Sequence, residues 1–216
     1  MVSMFRPLLA VLLLATPLLC ADTMEAFGHK WSVPVAADWK VEKIDGIDTL
    51  RLTVPRPQTS PRRPNQFAIL EAGPYKKVVF EVEVKKEPAD LRNRHTSLMF
   101  AYAFQDEAHF NYVHVSVDAA KQQPVHNGVF HVFGGERVRI SPLEGPHTLE
   151  EKWQKVRVEF DGSTGRVKCF VDGQTSPSIT AIDESLRWGK IGIGSFFDIG
   201  DFRNFKIVES QPYPAH

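Results

Sequence analysis

The chain has 216 residues, and its 26 lysines and arginines balance its 26 aspartates and glutamates. Zero formal net charge excludes a protein that holds nucleic acid mainly by neutralising phosphates. It also removes long-range electrostatic steering as a main device.

The N-terminus reads MVSMFRPLLAVLLLATPLLCA, with one basic residue, Arg6, ahead of an apolar run from Leu8 to Leu19. That run is too short to cross a hydrocarbon core of roughly 30 Å as a helix. With Pro17 and small Ala21 it has the form of a secretory signal peptide, residues 1–21. Two alternatives are a buried N-terminal helix and a lipid anchor on Cys20. The anchor wants a small residue just before the cysteine, and Leu19 is not small. No later apolar stretch is long enough to span a membrane, so the expected product is exported, periplasmic or extracellular. Cleavage after Ala21 leaves about 195 residues, which suits one domain with its own core, 22–210, and a tail at 211–216. One cysteine then remains, Cys169. It can make no internal disulfide, and in the strand-like RVKCFVDG it reads as a core thiol.

Beyond the leader the hydrophobic period is two almost everywhere. DTLRLTV is followed by a Pro-rich, basic stretch, Thr53 to Gln66, which reads as a long surface loop. NQFAILE and KKVVFEVEVKK come next; in the latter Val78, Phe80, Val82 and Val84 share one face, and Glu81, Glu83 and Lys85 share a solvated one. TSLMFAYAFQD, WQKVRVEFDG, GRVKCFVDG, GKIGIGSFF and DFRNFKIVE continue the pattern, and DESLRW is the one candidate for a short helical turn. Many antiparallel strands with turn signals between them predict an all-β protein, a jelly-roll sandwich of two antiparallel sheets.

Four of the eight histidines fall between His109 and His131. In FNYVHVSVD, Val113, Val115 and Val117 point to the core, which puts Phe110, Tyr112, His114, Ser116 and Asp118 on the opposite face. Rings mixed with hydrogen-bonding groups suit a sugar, whose C–H faces stack on rings while its hydroxyls take hydrogen bonds. If Val113 pairs with Phe130 in the following NGVFHVF, then Tyr112, His114, Ser116, Asn127 and His131 form one polar cluster. A two-residue turn at Gly134-Gly135 predicts the other parity, with His131 on the face of Val138 and Ile140. His126, in the joining loop, is expected to close over a ligand as a further substrate contact. His114, with an imidazole pKa naturally near neutrality, is the candidate acid–base group, and Asp106 in QDEAH is the candidate carboxylate at the strand's rim. Arg137 and Arg139 share an outer face, and with Arg62 and Arg63 they offer forks for carboxylates or sugar hydroxyls; Arg139 joins the expected substrate contacts.

A histidine zinc site is disfavoured, because His109 and His114 lie an odd number of residues apart. A calcium site is conceivable at Asp198 and Asp201 in SFFDIGDF, though no EF-hand spacing supports it. Serine-hydrolase, zincin and P-loop motifs are absent. So is the E-x-D-x-x-E strand that carries the paired carboxylates of laminarinase-type glycosidases.

Several stretches match a known pattern in order: WKVEKIDGIDTLRL, YVHVSVD, HNGVFHV, RVRIS, WQKVRVEFDGSTGRVKCFVDG and GKIGIGSFFDIGDFRNFKI. Together they resemble concanavalin A-like jelly rolls of the laminin-G type, and more closely the bacterial 3-keto-disaccharide hydrolase domain. The resemblance covers nearly all of the chain after the leader. It implies an exported carbohydrate-active protein with a carbohydrate ligand or substrate, and a hydrolase or lyase of 3-keto-glycosides is the activity it suggests. A non-catalytic glycan-binding module and an envelope interaction domain are the alternatives, since such folds host all three.

Overall fold

The computed structural model describes residues 21–87, 96–145, 147–148 and 151–214. The signal-peptide and Cys20 expectations therefore fall outside the described residues, Ala21 excepted. Among the described residues the chain forms fifteen strands and a single 3-10 turn, Ala36–Asp38. DESLRW, the one candidate for a short helical turn, is irregular. No helix among the described residues is long and apolar enough to cross a membrane.

The strands, in chain order, are β1 (Asp22–Ala26), β2 (His29–Val33), β3 (Trp39–Ile44), β4 (Ile47–Leu52), β5 (Gln66–Leu70), β6 (Tyr75–Lys86), β7 (Ser97–Asp106), β8 (His109–Ser116), β9 (Gly128–Phe133), β10 (Val138–Arg139), β11 (Gln154–Asp161), β12 (Arg166–Val171), β13 (Ile179–Ile182), β14 (Lys190–Ser195) and β15 (Gly200–Pro212). They make two antiparallel sheets. The first runs β1-β2-β5-β14-β7-β8-β9-β10, the second β13-β12-β11-β6-β15-β4-β3. This is the jelly-roll sandwich that the alternating pattern predicts. β15 runs on to Pro212, into the stretch expected as tail, and Tyr213 is tied by its amide to the Pro74 carbonyl at 2.9 Å.

The main core lies between the sheets. Trp31, Leu50, Leu70, Phe80, Phe100, Val113, Val158, Ile193 and Phe202 are all fully buried there. Cys169 joins them, and burial pushes its thiol pKa up to about 12, so it is the inert core thiol expected of its strand.

The outer faces of the two sheets differ. On the second, Glu81 is not the solvated carboxylate its pattern suggests but is 6% exposed. Lys155 (2.8 Å), Lys206 (3.0 Å) and Arg157 (3.2 Å) close over it. Burial pushes its pKa up, yet the three cations together outweigh burial and hold it at about 2. On the first sheet the outer face carries a second hydrophobic cluster: Phe67 and Ile69 of β5, Met99 and Ala101 of β7, Phe110 and Tyr112 of β8, Phe130 and Val132 of β9, and Phe196. A sheet apolar on both faces must be covered on the outside as well. The cover comes from the Pro-rich loop 53–65, the loop 117–127 and two arginines of the 137–139 edge.

Candidate functional site

The predicted face of β8 exists. Val113 and Val115 point into the main core, while Phe110 and Tyr112 join the outer cluster, and His114 and Ser116 follow on the same side. The partner register is the tight-turn alternative, with Val113 opposite Val129, Tyr112 opposite Phe130 and Asn111 opposite His131. Val138 pairs with His131 across the Gly134-Gly135 turn, where Gly134 takes φ +70°, a conformation glycine adopts at no steric cost. A one-residue shift exchanges the faces. Phe130 therefore stacks on Tyr112 (5.3 Å, 13°) on the outer face. His131 leaves the expected cluster for the inner side, where its Nδ1 meets Asn111 Oδ1 at 2.7 Å and Asp183 Oδ2 at 2.9 Å.

The His114 end of this face is sealed. Tyr112, His114, Ser116 and Asn127 are each at most 2% exposed. His114 Nδ1 donates to the Val125 carbonyl (3.1 Å), and its ring packs against His126 (5.2 Å) and Phe130 (5.8 Å). Since a carbonyl only accepts, Nδ1 carries the proton, and Nε2 is a bare acceptor buried without a partner. Burial pushes the His114 pKa well below the usual imidazole value, and the neighbouring His126 and Arg137 push the same way. This corrects the expectation of a pKa near neutrality. His126 bonds Asp118 Oδ2 (2.8 Å) and meets Ser116 Oγ (3.3 Å). Asn127 spends its amide on backbone: Oδ1 accepts from Ser116 N (2.9 Å), and Nδ2 donates to the carbonyls of Ser116 and Asp118.

Arg139 is also committed to backbone. Its guanidinium reaches the carbonyls of Pro124, His126, Asn127, Ser141 and Pro142 at 2.6–3.0 Å. Arg137 lies over Phe130 (4.8 Å) and Phe196 (4.7 Å) and donates to Tyr112 Oη at 3.2 Å.

The open part of the same face is at the other end of β8. There a groove of about 870 Å³ crosses β5, β14, β7 and β8. Its floor is Phe67, Ile69, Phe104 and Phe110, with Phe110 edge-on to Phe67 (5.6 Å) and 5.5 Å from Phe104. One wall is the Pro-rich loop, including Arg56, Arg63 and Asn65; the far rim carries Gln105, Asp106, Glu107 and Trp188. Phe104 reaches the floor only because β7 bulges. Lys190 pairs with Phe104 but Gly192 with Ala101, and Ala103 takes φ +48°. Tyr102 and Ala103 consequently both turn inward, and Phe104 flips to the outside. Gly189 permits the kink, since a Cβ there would stand 2.3 Å from the Ala103 carbonyl carbon.

Most of the groove's charges are spoken for. Arg56 forks to Asp38 (2.8 and 2.6 Å) and Lys190 reaches Glu71 (3.2 Å). Asp106, at the rim as expected, accepts from the Ala108 amide (2.7 Å) and meets His109 Nδ1 at 2.9 Å. Burial raises its pKa, but the His109 and backbone contacts outweigh this and lower it, the wrong direction for a general acid. Asp106 is paired to His109, and His114 lies five residues further along β8, so the expected acid–base partners stand roughly 17 Å apart at about 3.3 Å per residue. In contrast, Asn65 Oδ1 and Gln66 Oε1 are buried acceptors with no partner.

The aspartates weighed for calcium are used otherwise. Asp198 accepts from Ser97 N and Oγ (3.1 and 2.8 Å), while Asp201 pairs with Arg51 (2.7 Å) on the second sheet. Among the described residues no group of three or more His, Cys, Asp or Glu is arranged around a metal position.

Phe67, Ile69, Phe104, Trp188, Asn65 and Gln66 carry no recognisable motif. The only sequence signal is that QFAIL is apolar at every position after Gln66, as a strand buried on both faces should be.

No family model and no curated protein sequence matches the chain. Among solved structures it is similar to the carbohydrate-binding module CBM66 from Bacillus subtilis (TM-score 0.60, 15% identity, 82% of this chain and 94% of that one). It is also similar to the xylan β-1,4-xylosidase from Bacillus halodurans (TM-score 0.53, 14% identity, 88% of this chain but 38% of that one). A third is described as a glycosyl hydrolase of Parabacteroides distasonis by inference (TM-score 0.50, 11% identity, 83% and 92%). At these identities the likeness establishes the jelly-roll fold.

Proposed function

We propose that the protein is an exported glycan-binding jelly roll whose ligand lies in the groove over β5, β14, β7 and β8. The observation that carries this is the groove itself, whose floor of Phe67, Ile69, Phe104 and Phe110 is flanked by the half-buried ring of Trp188 and by polar side chains of the Pro-rich loop. Rings satisfy sugar C–H faces, and the polar side chains of the walls and rim can take hydrogen bonds from and to sugar hydroxyls. The likeness to a carbohydrate-binding module supports the same reading.

Binding without turnover fits the groove better than hydrolysis. A retaining glycosidase needs two carboxyls about 5–5.5 Å apart, whereas three of the groove's four carboxyl side chains, Asp38, Glu71 and Asp106, are each held by a cation or His109, and only Glu107 at the rim has no ion pair among the described residues. His114, buried and neutral, is a packing residue in this reading. The exposed Asp106–His109 pair at the rim is the one feature that favours the hydrolase suggested by the sequence resemblance.

The test is a panel of oligosaccharides and 3-keto-glycosides, read for both retention and product. Retention without product is expected, and Phe104→Ala should lose about 1–2 kcal/mol of affinity, roughly tenfold, with the fold intact. Turnover that disappears in Asp106→Asn would instead establish the hydrolase.

A further inference from the structure

The protein is neutral overall, yet its arginines are unevenly partnered. Among the described residues, Arg51, Arg56, Arg157, Arg187 and Arg203 each hold a carboxylate. Arg62, Arg63, Arg137 and Arg139 hold none, nor does exposed Arg166 on the other sheet. The first four lie together on the groove side of the first sheet. Arg137 N donates to the Arg62 carbonyl (3.1 Å), the Arg62 and Arg137 guanidiniums both lie over the Phe196 ring (5.9 and 4.7 Å), and Arg63 lines the groove wall.

Arg139 has given its donors to carbonyls, but the other three keep theirs. Arg62 Nε is buried with no acceptor. Among the described residues the Arg137 guanidinium makes one hydrogen bond, to the Tyr112 phenol. Arg63 is partly buried and makes no hydrogen bond or ion pair among the described residues. Asp118 is bonded to His126 and Asp198 to Ser97, and among the described residues neither forms an ion pair with these three arginines. The other two cations of the groove, Arg56 and Lys190, are already paired. A partly buried guanidinium without a counter-ion is costly unless a ligand supplies one, and its fork fits a carboxylate or sulfate at two points.

We infer that the groove takes an anionic glycan, with Arg63 forking to a ring carboxylate or sulfate and Arg62 and Arg137 extending the cationic track along the chain of sugars. This rests on the glycan reading above and narrows it to acidic sugars.

Calorimetry on the full-length protein with matched probes tests it: oligogalacturonate against a neutral galacto-oligosaccharide of equal length, and chondroitin sulfate against unsulfated chondroitin. The first pair reads carboxylate and the second sulfate. An acidic member should bind at least tenfold tighter than its counterpart, lose affinity in 0.5 M salt, and fall to within about threefold of the counterpart in Arg63→Ala. Phe104→Ala should weaken both members alike. A counterpart that binds as well as its acidic partner overturns this inference and leaves the glycan reading standing. An acidic preference that survives Arg63→Ala overturns the assignment of the residue. Equal competition by a single-stranded oligonucleotide overturns the sugar class in favour of a general polyanion. No binding by any probe overturns both readings.

Discussion

His114 and Glu81 are two buried ionisable side chains with opposite fates. Glu81 keeps its charge because Lys155, Lys206 and Arg157 surround it. His114 has only a carbonyl for a partner and cationic neighbours, so it stays neutral. Both folded-state pKa values lie below the unfolded ones, so both groups stabilise the protein at higher pH and lose that effect on acidification. His114 should begin to cost stability as pH falls below about 6.5, and Glu81 below about 4.5 towards 2. Thermal unfolding followed from pH 8 to pH 3 should show a midpoint that is flat above about 7 and then declines. His114→Gln should make the decline between about pH 6.5 and 5 shallower, leaving the lower part and the share of His126, whose pKa burial also lowers, in place. An unchanged slope there would mean that His114 is free to protonate in the folded protein. The parity of His114 follows from valine alternation alone, but its burial does not, because burial depends on the 117–127 loop folding back over it.

Arg139 ties the loop, β9 and β10 together. Arg139 collects five carbonyls from residues 124 to 142, and its guanidinium packs flat on Gly128, where a Cβ would stand 2.5 Å from Nη1. A flexible side chain would normally yield, but this one is pinned at five points. Gly128→Ala is therefore expected to destabilise by about 1–3 kcal/mol, and amide exchange should speed up selectively in residues 119–127. Uniform exchange with no loss of stability would contradict the pinning. This element also shows where sequence parity succeeds and fails. The Gly134-Gly135 turn is legible and fixes the register of β9 correctly. The bulge at Ala103 is not legible, because SLMFAYAFQD is apolar at every position from Leu98 to Phe104; a regular strand would keep Phe104 on the face of Phe100 and Tyr102, whereas the bulge brings it to the groove floor.

At the scale of the whole molecule, the two sheets divide the work. The second covers its outer face with an ion-pair lattice around Glu81, the first with rings and arginines. The sandwich itself was legible, since period-two runs separated by turns admit few other packings. The groove was not, because its wall is the Pro-rich stretch 53–65, whose path over β5 is a long-range contact that no local pattern encodes. The histidine-rich end of β8 is sealed, and the open surface lies at the other end. The sharpest test of the groove as a glycan site is to titrate an oligosaccharide retained by the protein into isotope-labelled protein and map the shifted amides. The shifts should gather at Phe67, Phe104, Phe110, Arg63 and Trp188 and leave the Glu81 lattice unmoved. Shifts centred on β6, β11 and β15, or on the sealed His114 end alone, would contradict it.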